Sequence, residues 1–277
     1  MNKKPMQRMK SALYRELREH KSSFITYTVL RFFVILMMIF QIVNQNYESV
    51  FLCLLTLLLL VAPSLLQVAL KIELPTVLEI VILVFIFAAE ILGEICEFYI
   101  IFPFWDTVLH TLNGFLAAAI GLALVQLLNN SEKLVFQLSP LFTSIVAFCF
   151  SMTIGVVWEF FEFGMDRFFG FDMQKDTVLH TISSVALNPT GANTPVTISG
   201  ITETVVQGVD LGLGGYLDIG LIDTMQDLFV NFIGALVFAI LGYFYVKKQN
   251  HDSVVPKFMP KKKDPDRDYL KMEEEKE

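Results

Sequence analysis

Residues 107–128 read TVLHTLNGFLAAAIGLALVQLL, with Asp106 directly before them. A run of this length without a full charge matches the roughly 20 residues an α-helix needs to cross a bilayer. Five further apolar runs, at 24–43, 50–70, 77–98, 140–161 and 224–246, have the same character. They are continuous in Leu, Ile, Val and Phe and lack the alternation of a barrel strand, so helices must satisfy the backbone inside lipid. The expected fold class is therefore an all-α polytopic membrane protein with six transmembrane helices. Composition agrees: of 277 residues, 54% are apolar and 18% charged, where a soluble domain carries about a quarter charged. An ordinary soluble enzyme is excluded. Cys53, Cys96 and Cys149 all lie in apolar stretches, which leaves neither a disulfide framework nor a CxxC zinc site.

Lys and Arg set the orientation. Seven of them precede residue 22 and nine follow Val246, while only Arg167 and Lys175 fall in segments assigned to the outer side. Both termini are thus expected in the cytoplasm, in agreement with an even number of spans. Residues 1–23 read as a basic amphipathic cytoplasmic segment, with Met6, Met9, Leu13 and Leu17 at helical spacing. Residues 24–246 form the six-helix domain with an outer insertion at 163–222. Residues 247–277, with Pro256, Pro260, Pro265 and mixed charge, read as a flexible cytoplasmic tail. The first apolar run comes after a long basic segment and lacks an A-x-A cleavage site, so it is expected to stay as an anchor.

The hexapeptide Asp106-Thr-Val-Leu-His110-Thr111 returns unchanged as Asp176-Thr-Val-Leu-His180-Thr181, and a looser copy starts at Asp223-Thr-Met-Gln-Asp227. Residues i and i+4 neighbour each other on a helix, so each copy is expected to place two polar groups on one helical face. Acids precede the copies: Glu90, Glu94 and Glu97 near the end of the third run, and Glu159, Glu162 and Asp166 near the end of the fifth. Helix pair 3-4 thus resembles pair 5-6, a parallel internal repeat. All these groups fall at the outer ends of their helices. A charge at mid-bilayer costs roughly 2.5–3.5 kcal/mol on insertion scales, so they should face one another, and mutual repulsion then calls for protons or a cation.

Carboxylates with imidazole and no thiolate suit zinc, manganese or iron. The expected ligands of such a divalent metal ion are Glu90, Glu94, His110, Glu159, Glu162, His180 and Asp227, with Glu94 or Glu162 as catalytic base. Plainer roles stand beside these. Asp106, Asp176 and Asp223 read first as N-caps, the histidines equally as buried imidazoles bonded to carboxylates, and Glu97 and Asp166 as solvated. Trp105 and Trp158 read as an interfacial aromatic belt. Gly114, Gly121, Gly155 and Gly234 suit close helix contacts, and Asn113 and Asn231 suit hydrogen bonds between helices. In the insertion, the β-branched run 196–206 and the glycine-laden stretch 208–220 suggest a small outer hairpin, or a lid over the site.

The stretches Asp106 to Gly114, Trp158-Glu-Phe-Phe-Glu162 and Asp223 to Gly234 resemble bacterial inner-membrane proteins of the YjdF type, over about residues 77–246. The Asp-x-x-x-His start of a membrane helix is also similar to VanZ-like proteins. The YjdF-type resemblance implies a multi-pass protein of the bacterial cytoplasmic membrane and implies no settled activity. Three functions compete. One is a metal-dependent enzyme acting on a lipid or cell-envelope precursor head group. Another is a cation or proton transporter or sensor, and the third is a non-catalytic membrane factor. The lipid bilayer is the expected partner, and nucleic acid is not. No HExxH or GxSxG pattern occurs.

Overall fold

The computed structural model describes residues 5–129, 138–249 and 252–275. Helix α1 (Pro5–Glu16) precedes α2 (Lys21–Val43), the first span. The second span is broken into α3 (Tyr47–Leu59) and α4 (Ala62–Leu70). The break falls just ahead of Pro63, which has no N–H and whose ring opposes the carbonyl four residues back. A two-residue strand β1 (Ile72–Glu73) leads to α5 (Thr76–Phe87), which continues as a π-helical segment, Ala88–Ile95, to complete the third span. The short α6 (Phe98–Ile101) precedes α7 (Trp105–Asn129), the fourth span, and α8 (Pro140–Phe169) is the fifth. Then come β2 (Thr177–Leu179), β3 (Thr181–Ser184), β4 (Val196–Ser199), β5 (Val205–Val206), β6 (Val209–Asp210) and β7 (Tyr216–Asp218). The sixth span is α9 (Leu221–Lys248), succeeded by β8 (Lys261–Lys262) and α10 (Tyr269–Glu274). Six helices are long and apolar enough to cross a membrane, and the protein is a multi-pass membrane protein.

The chain packs as two units: residues 1–152 with 231–277, and residues 153–230. In the first, α2 lies against α3 and α5, and Val34, Cys53, Leu60 and Ile91 are buried together. Small residues make the second centre. Ala118, Ala119 and Leu122 of α7 meet Ala147 of α8 and Ala235 and Phe238 of α9. Helix α1 rests on α10 and α4, so α1 and α10 lie on the same side, as an even number of crossings requires.

Residues 252–275 are built into this unit, which corrects the expectation of a flexible tail. Val255 and Met259 are buried in the α7–α8–α9 core, and β8 pairs antiparallel with β1. The prolines that suggest disorder start 3-10 turns at Val255–Phe258 and Pro265–Arg267. A buried ion pair joins Lys263 to Glu16, and Lys71 to Asp268 (3.2 Å) and Arg267 to Glu73 (3.1 Å) reinforce it. Helix α1 correspondingly presents its inward face to protein, with Ala12 and Glu16 buried.

In the second unit α8 runs on to Phe169, so the irregular insertion begins later than expected. Its strands pair β2 with β7, β3 with β4 and β5 with β6, all antiparallel. The run 196–206 divides between two antiparallel pairs, the second of them a tight hairpin. Its first half pairs with β3, and its second half turns through Gln207 and Gly208, both at positive φ, the backbone of a type I′ hairpin turn.

Candidate functional site

On the inward stripe of α8, Gly155, Glu159 and Glu162 are buried, while Val157, Trp158, Phe160, Phe161 and Phe163 are exposed around them. This is the helical spacing of an apolar outer surface with a polar interior. Helix α9 repeats the pattern with Asp227 at its buried position. Glu159, Glu162 and Asp227 are 4%, 7% and 4% exposed, and an oxygen of each lies within 4.8 Å of the others. The Trp158 indole N–H donates to Glu162 Oε1 at 2.8 Å. Trp158 therefore does more than sit in an interfacial belt; its i,i+4 spacing to Glu162 is the sequence signal for a positioning role.

One turn beyond Glu162, Asp166 accepts from the backbone N–H of Met173 (2.6 Å) and Gln174 (2.8 Å). Asp223 accepts from Lys175 N at 2.8 Å, and Gln174 donates to Thr224. Residues 173–175 are thereby stitched to both helices. Asp166 is not merely solvated, and Asp223 is not the N-cap: Asp218 takes the Ile222 N–H at 2.9 Å. Partial burial, then the Asp172, Asp218 and Asp166 charges, hold Asp176 above the ordinary carboxylate range, with Lys175 opposing.

The second hexapeptide copy does not start a helix. It forms β2, a turn and the start of β3, leaving His180 exposed with Nδ1 3.0 Å from the Ile201 carbonyl oxygen. Along a strand, positions four apart lie about 13 Å from each other, which separates the Asp-His pair that a helix brings together.

In the first unit the same hexapeptide is helical. His110, 8% exposed, has Nε2 3.4 Å from Asp106 Oδ1. Asp106 lies inside α7 rather than at its cap. One turn deeper, Asn113 donates to Asn231 Oδ1 (3.3 Å), Ser151 donates to the Gly114 carbonyl (2.7 Å), and Asn231 reaches Met152 S (3.7 Å). These bonds lock α7, α8 and α9 at one level. Glu90 and Glu94 fall on the π-helical segment, Glu90 half-buried and Glu94 exposed. At the start of this segment the Ala88 carbonyl accepts from Trp105 Nε1 at 3.3 Å. Among the described residues, no group of three potential ligands within 4.8 Å contains Glu90, Glu94 or His180.

Six apolar spans and buried acids on the inner stripes of two of them define a polytopic helical membrane protein with a polar centre inside its fold. The chain belongs to the family described as "Predicted membrane protein (DUF2238)", whose model matches residues 25–248. The stretch 77–246 with the YjdF-type resemblance lies inside that match. No curated protein and no solved structure matches the chain.

Proposed function

We propose that Glu159, Glu162 and Asp227 hold one divalent metal ion at the outer side of a bacterial cytoplasmic membrane. The observation that carries this reading is the approach of three buried carboxylates to within 4.8 Å. Each pair of full charges at that distance repels by about 3–4 kcal/mol at an effective dielectric of about 20, which a cation reverses. Buried carboxylates at this spacing accept zinc, manganese or ferrous iron.

Such an ion polarises an ester or phosphoryl oxygen and activates water. The activity we infer is hydrolysis of a lipid or envelope-precursor head group, with a Glu162 oxygen taking the proton. A cation or proton carrier competes. It would require a polar path along the third span, where residues 80–89 separate Glu90 from Glu79 without one ionisable group.

Elemental analysis of protein purified in detergent without chelator tests the centre. About one ion per chain is expected, lost in Glu159→Gln and Asp227→Asn, while a metal-free wild type overturns the reading. Trp158→Phe is expected to weaken metal affinity about 10-fold by releasing Glu162, measured by competition with a chromogenic chelator. Metal-dependent head-group release in proteoliposomes supports the enzyme; cation flux abolished by Asp227→Asn supports the carrier instead.

A further inference from the structure

At the opposite ends of α8 and α9 from the carboxylates, and wholly within the first unit, a groove of about 580 Å³ runs between the two helices. Leu141, Ile145 and Phe148 form one wall, and Leu236, Ile240 and Phe244 the other. Ser144 also lines it but donates its hydroxyl to the Pro140 carbonyl at 3.0 Å. The groove therefore offers hydrocarbon and no open hydrogen-bonding group.

Its length is that of one leaflet. From Phe232 to Phe244, α9 rises about 18 Å at 1.5 Å per residue, against roughly 15 Å for half of a bilayer's hydrocarbon core. Its charge is one-sided. Residues 140–148 and 232–248 contain no acid, and the groove's end carries Lys247 and Lys248. Both are drawn back over aromatic rings of the lining. Lys247 Nζ lies 3.0 Å from Tyr243 Oη and 5.2 Å from that ring's centre, and Lys248 Nζ lies 5.6 Å from the centre of Phe244.

We propose that this groove binds one anionic glycerophospholipid, its acyl chain along the α8–α9 walls and its phosphate between Lys247 and Lys248. A zwitterionic lipid satisfies the walls equally, but its own ammonium offsets the attraction of the two lysines, each expected to contribute about fivefold. The assignment stands on the walls, the depth and the cations, and is independent of the metal centre.

Native mass spectrometry of the full-length protein, titrated with phosphatidylglycerol or phosphatidylcholine of identical chains, tests it. Wild type is expected to retain one phosphatidylglycerol under activation that strips phosphatidylcholine, and glycerol phosphate without chains is expected not to compete. Lys247→Gln with Lys248→Gln should reduce phosphatidylglycerol to the level of phosphatidylcholine. Ile240→Trp should reduce both; Ile240 is 49% exposed, so the larger ring fills the groove without entering the core. Circular dichroism confirms that the variants are folded. Equal retention of the two lipids by wild type, a preference surviving the double lysine change, competition by glycerol phosphate, or a dimer dissolved by Ile240→Trp would each overturn the proposal.

Discussion

Gly114→Ala and Gly234→Val each lower stability by about 3 kcal/mol or more, the upper range for overpacking a close helix contact. A Cβ on Gly114 would stand 2.1 Å from the Asn231 carbonyl oxygen, and one on Gly234 would stand 2.0 Å from the Thr111 carbonyl oxygen and 2.9 Å from Phe115 N. Real Cβ atoms essentially never come within 3.0 Å of another group. In both cases the obstruction is helix backbone, so no rotamer change relieves it and α7 must separate from α9. That separation also strains the Asn113–Asn231 and Ser151–Gly114 bonds. Gly164→Ala is the control: no atom lies within 4 Å of its added Cβ, and removing a mid-helix glycine is worth about 0.5–1 kcal/mol of stabilisation. Thermal unfolding in detergent, monitored by circular dichroism, reads all three. A Gly114→Ala protein melting within about 2 °C of wild type, the shift that only about 1 kcal/mol produces in a chain of this size, would refute the close packing.

The spans were legible because bilayer thickness imposes a length, and the protein answers it six times. Glu159, Glu162 and Asp227 were legible because α-helical spacing sets them on stripes that the lipid-facing Phe and Val residues do not occupy. Glu90 and Glu94 were not, since α-helical spacing does not hold in a segment that winds as a π-helix, where the i to i+5 ladder shifts side chains off the α-helical phase.

The hexapeptide shows how far six letters reach. After Thr111 comes an apolar run long enough to make a span, and the motif is helical. After Thr181 come Ile182, Ser183, Ser184 and Val185, with Pro189 beyond, and the motif pairs as strand with Tyr216–Asp218. The residues downstream of the motif, rather than its own six, decide its state, because tertiary packing overrides local propensity. The structural counterpart of the first copy is therefore the third. Both begin a span, and Asp227 stands at the position of His110, while His180 is a surface residue of the insertion. The proline-rich end of the chain misleads for a related reason. Composition registers its charges and turns, but not that Val255 and Met259 enter the core or that Lys263 enters a buried pair.

That pair supplies the sharpest test at this end of the fold. The side chains of Lys263 and Glu16 are 3% and 2% exposed, with Glu19 3.9 Å from the same ammonium. Removing one partner of a buried ion pair costs about 3–5 kcal/mol, while replacing both by apolar groups is often neutral or better. Lys263→Met is thus expected to destabilise strongly, and Glu16→Leu with Lys263→Met to recover most of the loss. The pH dependence carries its own sign. Burial raises the Glu16 carboxyl to about 7, with the Lys263 bond and charge pulling the other way. A carboxyl raised in the folded state adds stability that is full below its ordinary value near 4.5 and fades as pH rises through about 7. Without Lys263 the carboxyl rises further, so the Lys263→Met penalty should be small at pH 5, where Glu16 is protonated, and large at pH 8, where its charge would be buried against Glu19 and Glu79. Unfolding of wild type, Lys263→Met and the double variant at both pH values checks this. A penalty of equal size at pH 5 and pH 8 would mean that Lys263 acts through the packing of its aliphatic chain, and not through its charge.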